Sequence, residues 1–278
     1  MYTITNIIEE LNNRGYNAQT QVVTKNGVEL NSVVIRTEGT NIAPNIYVDE
    51  ILERVNNGNK DFDLVISEII KNYEEHKNVS FNAEILKDKD FILSHSYIAL
   101  QRASEQELVK RDCGFDGIES YLYMRLEQFE DGIGAVKLNH QLLALADISE
   151  EELWKSAEKN TFSETTLKPL FSAISDILEE DIPQEILETE SCGLYVLSNK
   201  SMNCGASAIL DKKALNILAE KTHTRNFIMI PSSRHEVIVV PETSEMRLED
   251  ITEMVQTVNA NEVRPIDQLA DKAYRVAI

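Results

Sequence analysis

Residues 19–36 read QTQVVTKNGVELNSVVIR, and the Asn26-Gly27 pair at their centre constrains the fold more than any other dipeptide. A two-residue type I′ turn needs positive φ at both central positions, which Asn and Gly tolerate. The flanking runs are rich in β-branched residues, so an antiparallel hairpin is expected over 19–36. Upstream, Ile4, Ile7, Ile8 and Leu11 share one helical face. Downstream, NIYVDE (45–50) reads as a short strand entering a helix, and Ile66, Ile69, Ile70 and Tyr73 mark one face of a helix over 61–77.

FILSHSYIAL (91–100) suits a strand or a short helix, and periodicity does not choose between them. Ser104 and Glu107 form a capping-box pattern that predicts a helix start. In ESYLYMRLEQF, Tyr121, Tyr123 and Arg125 alternate with Leu122, Met124 and Leu126, as in a half-buried strand. Asp131-Gly132 then supplies a turn into a second strand. Ser149, followed by Glu150, Glu151 and Glu152, is the clearest helix start, with Ile148 and Leu153 at the staple positions. The acidic run is more simply a helix start than a metal or partner site. Further helices are expected over 166–180 and after Pro183.

The C-terminal third predicts hairpins over 192–210 and 226–241, a helix capped by Asp211, and a helix over 246–259. The fold class is therefore α+β, with antiparallel hairpins and sheets and helices packed on one face. Two β-containing halves are expected, 1–130 and 131–278, or one continuous domain, since no Gly- or Pro-rich linker separates them.

The 278 residues carry a net charge of −20, and 141–190 holds 13 acidic and 3 basic residues. Such a balance repels a phosphate backbone, so direct nucleic-acid binding is not expected. The surplus reads first as a solubilising surface, and second as a phosphate mimic filling a basic groove on another protein. No apolar run approaches the roughly 20 residues that span a bilayer. The start, MYTITNIIEELNNRGY, does not read as a signal peptide. Three cysteines, Cys113, Cys192 and Cys204, suit a reducing cytoplasmic interior rather than a disulfide scaffold.

No GxGxxG, P-loop or HExxH pattern occurs, and the cysteines and histidines are too widely spaced for a zinc site, so no metal or cofactor is expected. The lone tryptophan, Trp154, is assigned to packing. Chemistry-bearing residues collect in one place, NFIMIPSSRHEVIVVPE (226–242). A hydrolase would use Ser232 or Ser233 as nucleophile, His235 as base and Glu236 as orienter. Neighbours on a strand point to opposite faces, which opposes a shared hydrogen-bonded line through His235 and Glu236. The simpler reading makes 231–236 the polar connection between two buried strands. Between these stands an exposed hairpin end at which Arg234 and His235 contact a ligand or partner.

LYVLSNKSMNCGASAIL followed by FIMIPSSRHEVIVVPE resembles an uncharacterised bacterial family, domain-of-unknown-function family 5688. The likeness extends to TKNGVELNSVVIRTEGTNIAPNIYVDE, ISEEELWKSAEKNT and VNANEVRPIDQLADKAYRV, and so to most of the chain. Its pattern falls on Asn26-Gly27, Asn41, Pro44, Trp154, Ala157, Asn160, Asn199, Gly205-Ala206, Pro231, Ser232, Ser233, His235 and Glu236. Members often carry an aliphatic residue where this chain has Arg234. The C-terminal half is similar, more distantly, to YtpQ-like proteins. The resemblance implies no activity, catalytic residue or cofactor. It directs attention first to Ser232, Ser233, His235 and Glu236 and weakens a general role for Arg234. Asn160, Asn199 and Arg234 are the candidate binding residues, and the frequency of members on mobile elements suggests host–element conflict or conjugation. The expected function is a non-catalytic cytoplasmic binding or accessory protein with a protein partner. The acidic mimic and the hydrolase are its alternatives.

Overall fold

The computed structural model describes residues 1–36, 43, 45–77, 82–129, 132–178 and 193–278. Two compact units form, Met1–Ala83 and Glu84–Ile278. The 130/131 division expected from the sequence falls within the second unit, where Ile118–Phe129 pairs with Gly132–Lys137 in one hairpin.

The first unit contains α1 (Ile4–Asn13), β1 (Ala18–Lys25), β2 (Val28–Ile35), β3 (Ile46–Tyr47), α2 (Asp49–Asn56) and α3 (Phe62–His76). β1 and β2 pair antiparallel from Ala18↔Ile35 to Lys25↔Val28. That register leaves Asn26 (φ 50°) and Gly27 (φ 77°) as the two-residue turn, both in the left-handed region that type I′ requires. Ile7 and Leu11 of α1, Val33 and Ile35 of β2, and Ile66 and Ile69 of α3 share one core. Each such burial is worth about 1.5–3 kcal/mol. The Asp61 carboxylate caps α3 by accepting from the amides of Asp63 and Leu64.

The second unit begins with α4 (Lys89–His95) running directly into β4 (Ser96–Arg102), so FILSHSYIAL is both helix and strand. β5 (Lys110–Asp112), β6 (Ile118–Phe129), β7 (Gly132–Lys137), α5 (His140–Leu145), α6 (Glu150–Ser163), β8 (Thr165–Pro169) and α7 (Leu170–Leu178) follow. After 193 come β9 (Tyr195–Asn199), a 3-10 turn (Gly205–Leu210), α8 (Lys212–Thr222), β10 (Asn226–Ile230), β11 (Val237–Pro241), α9 (Leu248–Asn261) and β12 (Tyr274–Ala277).

β6 is the spine of a four-stranded sheet, paired with β4, β5 and β7. α4 and α6 cover one of its faces through a core containing Ile92, Ile98, Leu122, Met124, Leu153 and Trp154. Tyr121 and Tyr123 are buried on the other face beside Ala99, so β6 is buried on both sides rather than half-buried. Ser149 caps α6 by accepting from the Glu152 amide (3.3 Å). The Glu152 carboxylate meets Lys89 at 2.8 Å, leaving only the serine's half of the expected capping box among the described contacts.

The other sheet is antiparallel, in the order β12–β10–β11–β9–β8. Phe227 and Met229 of β10 share a core with Leu215 and Leu218 of α8. Ile228 and Val240 pack with Leu248 and Ile251 of α9. Helices on both faces explain the uninterrupted apolar runs FIMI and VIVV.

Three local expectations are corrected. Ser104 and Glu107 open no helix, because the chain just beyond them is drawn to the sheet at Val109. The Val109 amide donates to the Leu138 carbonyl (2.9 Å) and the Val109 carbonyl accepts from Leu122 (3.0 Å). The Ser104 hydroxyl donates instead to Glu119 (2.8 Å). Residues 165–169 form β8 before helix α7 begins, since they pair with β9 from Thr165↔Asn199 to Pro169↔Tyr195. The predicted 192–210 hairpin has only its first strand: 205–210 is a 3-10 turn whose Ala206 amide donates to the Arg234 carbonyl (3.3 Å). Asn41, Pro44, Asp131, the helix after Pro183 and Cys192 lie outside the described residues. Among the described residues no helix is long and apolar enough to cross a membrane.

Candidate functional site

β10 and β11 pair from Phe227↔Pro241 to Ile230↔Ile238, leaving Pro231–Glu236 as their connection. The connection closes on itself. Both serine hydroxyls donate to Glu236 Oε1, Ser232 at 3.0 Å and Ser233 at 2.8 Å. Ser233 also accepts from the His235 amide (3.0 Å), and its own amide donates to the Glu236 carbonyl (3.1 Å). Glu236 is thus the hub of a polar turn, and both candidate nucleophiles are directed at it.

The His235 side chain takes other partners. Its Nδ1 accepts from the Cys204 amide at 3.2 Å, and its Nε2 lies 3.1 Å from Asp267 Oδ1. An amide can only donate, so Nδ1 is the unprotonated nitrogen in the neutral ring and Nε2–H donates to the carboxylate. Arg234 Nε sits 3.4 Å from Nε2 and 3.5 Å from Oδ1, and of the two only the carboxylate can accept from it. Arg264 completes the cluster, donating to Asp267 Oδ2 from Nε (3.0 Å) and Nη2 (2.7 Å). The hydrogen bond from His235, reinforced by Arg264, holds the Asp267 carboxyl down to about 2 against the opposing effect of burial.

Cys204 brings a thiol to this cluster, giving Cys, His and Asp in one line. The line is broken at its first member, because Nδ1 engages the Cys204 amide and not the sulfur. Burial raises the thiol pKa, away from the thiolate a nucleophile needs. Cys204 packs with Ala99, Tyr121 and Tyr123, and burial pushes the Tyr123 hydroxyl up to about 12.

The cluster is held by close packing. A Cβ on Gly205 would lie 2.4 Å from Ser198 Oγ and 2.6 Å from both the Asn199 nitrogen and the His235 carbonyl oxygen. Only glycine fits there. Ser198 fastens the same carbonyl, donating to it at 2.8 Å. Asn199 ties the turn that presents Cys204, donating to the Asn203 carbonyl (2.7 Å) and accepting from the Asn203 amide (3.2 Å). Asn199 is therefore spent on the turn, with 6% of its surface exposed.

Ser232, Ser233, Arg234, His235, Glu236 and Asn199 thus share one neighbourhood, and Asn160 has a separate task. It lies on α6 and donates to the carbonyls of Leu93 (2.9 Å), Ser94 (3.2 Å) and Ser96 (2.9 Å), closing the C-terminal end of α4. Sequence reasoning missed Asp267, Arg264 and the Cys204 amide. Asp267 stood within the tail motif VRPIDQLADKAYRV, whose carboxylate was the available signal. Among the described residues no three His, Cys, Asp or Glu gather as metal ligands.

A second feature is a cleft of about 900 Å³ between α6, the β5 end of the four-stranded sheet and the start of α8. Ile98, Phe162 and Leu210 line it together with Trp154, over whose ring the Arg111 guanidinium lies at 4.5 Å.

The model of a family described as a family of unknown function (DUF5688) matches residues 2–276, so the chain belongs to that family. No curated protein and no solved structure matches the chain.

Proposed function

We propose that this member of the family is a soluble, cytoplasmic, non-catalytic binding or accessory protein with a protein partner. One observation carries the reading: both serine hydroxyls donate to Glu236, while the His235 imidazole is engaged by the Cys204 amide and Asp267. A serine hydrolase needs hydroxyl and imidazole in one hydrogen-bonded line. Here they belong to two lines, each ending in its own carboxylate. The sparse cysteines support a reducing compartment, and the frequency of relatives on mobile elements supports a role in host–element conflict or conjugation.

The test is turnover of generic ester, phosphodiester and nucleotide substrates by the purified chain and by His235→Ala. No turnover by either protein is expected. Activity that disappears in the variant would overturn the reading in favour of the hydrolase.

The acidic-mimic alternative gains little from α6. Of its three first-turn glutamates, Glu150 meets Arg111 (3.5 Å) and Glu152 meets Lys89 (2.8 Å), so both serve the fold. Capture of a partner by the intact chain, and its loss on neutralising the carboxylates of 141–190, distinguishes the mimic from a partner bound elsewhere.

A further inference from the structure

We infer that the cleft between α6 and the start of α8 binds a small phosphorylated ligand with a flat apolar portion, resting on the reading of the chain as a binding protein. Five cations and three carboxylates line this cleft, in a chain whose net charge is −20. Two of the carboxylates are already committed. Asp211 accepts from the amides of Lys213 (2.9 Å) and Ala214 (3.4 Å), and Asp112 accepts from the Gly114 amide (2.9 Å). Glu158 is the third.

Arg111 meets Glu150 (3.5 Å), and the four lysines are not matched in the same way. Lys155, Lys159, Lys212 and Lys213 have no ion pair or side-chain hydrogen bond among the described residues. Three of them, Lys159, Lys212 and Lys213, stand where their own helix disfavours them, while Lys155 also has Glu151 at i−4. Lys155 and Lys159 are an i,i+4 like-charge pair on α6. Lys212 and Lys213 occupy the first turn of α8, at the positive end of the helix dipole. A phosphate between the two helix segments relieves both repulsions at once and takes charge-assisted hydrogen bonds from the ammonium groups.

The apolar lining of Ile98, Phe162, Leu210 and the Trp154 ring suits a flat group beside the phosphate. The Trp154 Nε1–H has no acceptor among the described residues and is itself shielded from solvent. A long nucleic acid is disfavoured because it meets the acidic surface as well as the cleft. A small ligand feels chiefly the charges within roughly 8 Å at physiological salt.

Trp154 is the only tryptophan, so its fluorescence reports on the cleft directly. The full chain is titrated at fixed ionic strength with adenosine diphosphate, inorganic pyrophosphate, adenosine and a single-stranded oligonucleotide. A saturable change with adenosine diphosphate is expected, weaker with pyrophosphate and absent with adenosine. Lys159→Glu combined with Lys213→Glu weakens binding roughly tenfold or more. Lys200→Glu, outside the cleft lining, leaves it unchanged, and circular dichroism verifies that all variants fold. No saturable change below millimolar diphosphate, equal binding by the double variant, or equally tight oligonucleotide binding would each overturn the inference. A protein partner captured by a chain that binds no diphosphate would leave the binding-protein reading standing and remove only the cleft.

Discussion

At the β10–β11 connection the hydroxyls, the imidazole and the carboxylates of Glu236 and Asp267 all find partners within the fold, whereas the four lysines of the α6–α8 cleft find none among the described residues. The connection is composed of the residue types used in catalysis and spends them on holding a turn. The cleft is composed of residue types usually assigned to a solvated surface and leaves its charge unspent. What a polar residue can do for a ligand depends on what the fold has already asked of it.

The sharpest way to break this contrast is Gly205→Ala. The added methyl overlaps Ser198, Asn199 and the His235 carbonyl, so a loss of about 3 kcal/mol or more is expected in denaturant unfolding. A variant as stable as the parent would show that the connection is not closely built.

Asp267→Asn comes next. The depressed carboxyl corresponds to roughly 2 kcal/mol of stability, fully present above the unfolded value near 4 and lost as pH falls through about 2. The parent should therefore lose stability between about pH 4 and pH 2, and the variant should start lower at neutral pH with a flatter profile. Parallel profiles for the two proteins would remove Asp267 as the anchor of His235.

Glu236→Gln retains an acceptor for both serines but exchanges charge-assisted hydrogen bonds for neutral ones. About 1 kcal/mol should be lost, measurable as a lower urea midpoint at unchanged slope.

The smallest effect has the opposite sign. Lys213→Glu places a carboxylate in the first turn of α8 and should raise stability by about 0.5 kcal/mol, seen as a small increase in Tm. A residue that stabilises the fold when replaced is there for another reason. A decrease would mean that Lys213 already serves packing or pairing.

Much of this architecture was legible in short-range chemistry. Asn26-Gly27 specified a type I′ hairpin down to its register, because positive φ is a local property of those two residues. Ser149 and Asp211 announced their helices because an N-cap is satisfied within three residues. The failures share one cause. Ser104 and Glu107 have the same local pattern as a cap, yet just beyond them the backbone of Val109 is taken by Leu122 and Leu138, which are distant in sequence. Gly205-Ala206 looked like part of a strand until its close approach to Ser198 and His235 required a tight turn.

By itself, then, the sequence determined the elements whose hydrogen bonds close within a few residues and the α+β class, whereas strand alternation does not apply to His235 and Glu236, which lie in the connection before β11. Only the tertiary structure decided that His235 faces Asp267, that Glu236 collects both serines, and that lysines from α6 and α8 line one cleft. Side-chain period and capping are set by covalent neighbours. A hydrogen-bond partner 32 residues away is set by how the sheets, helices and turns pack.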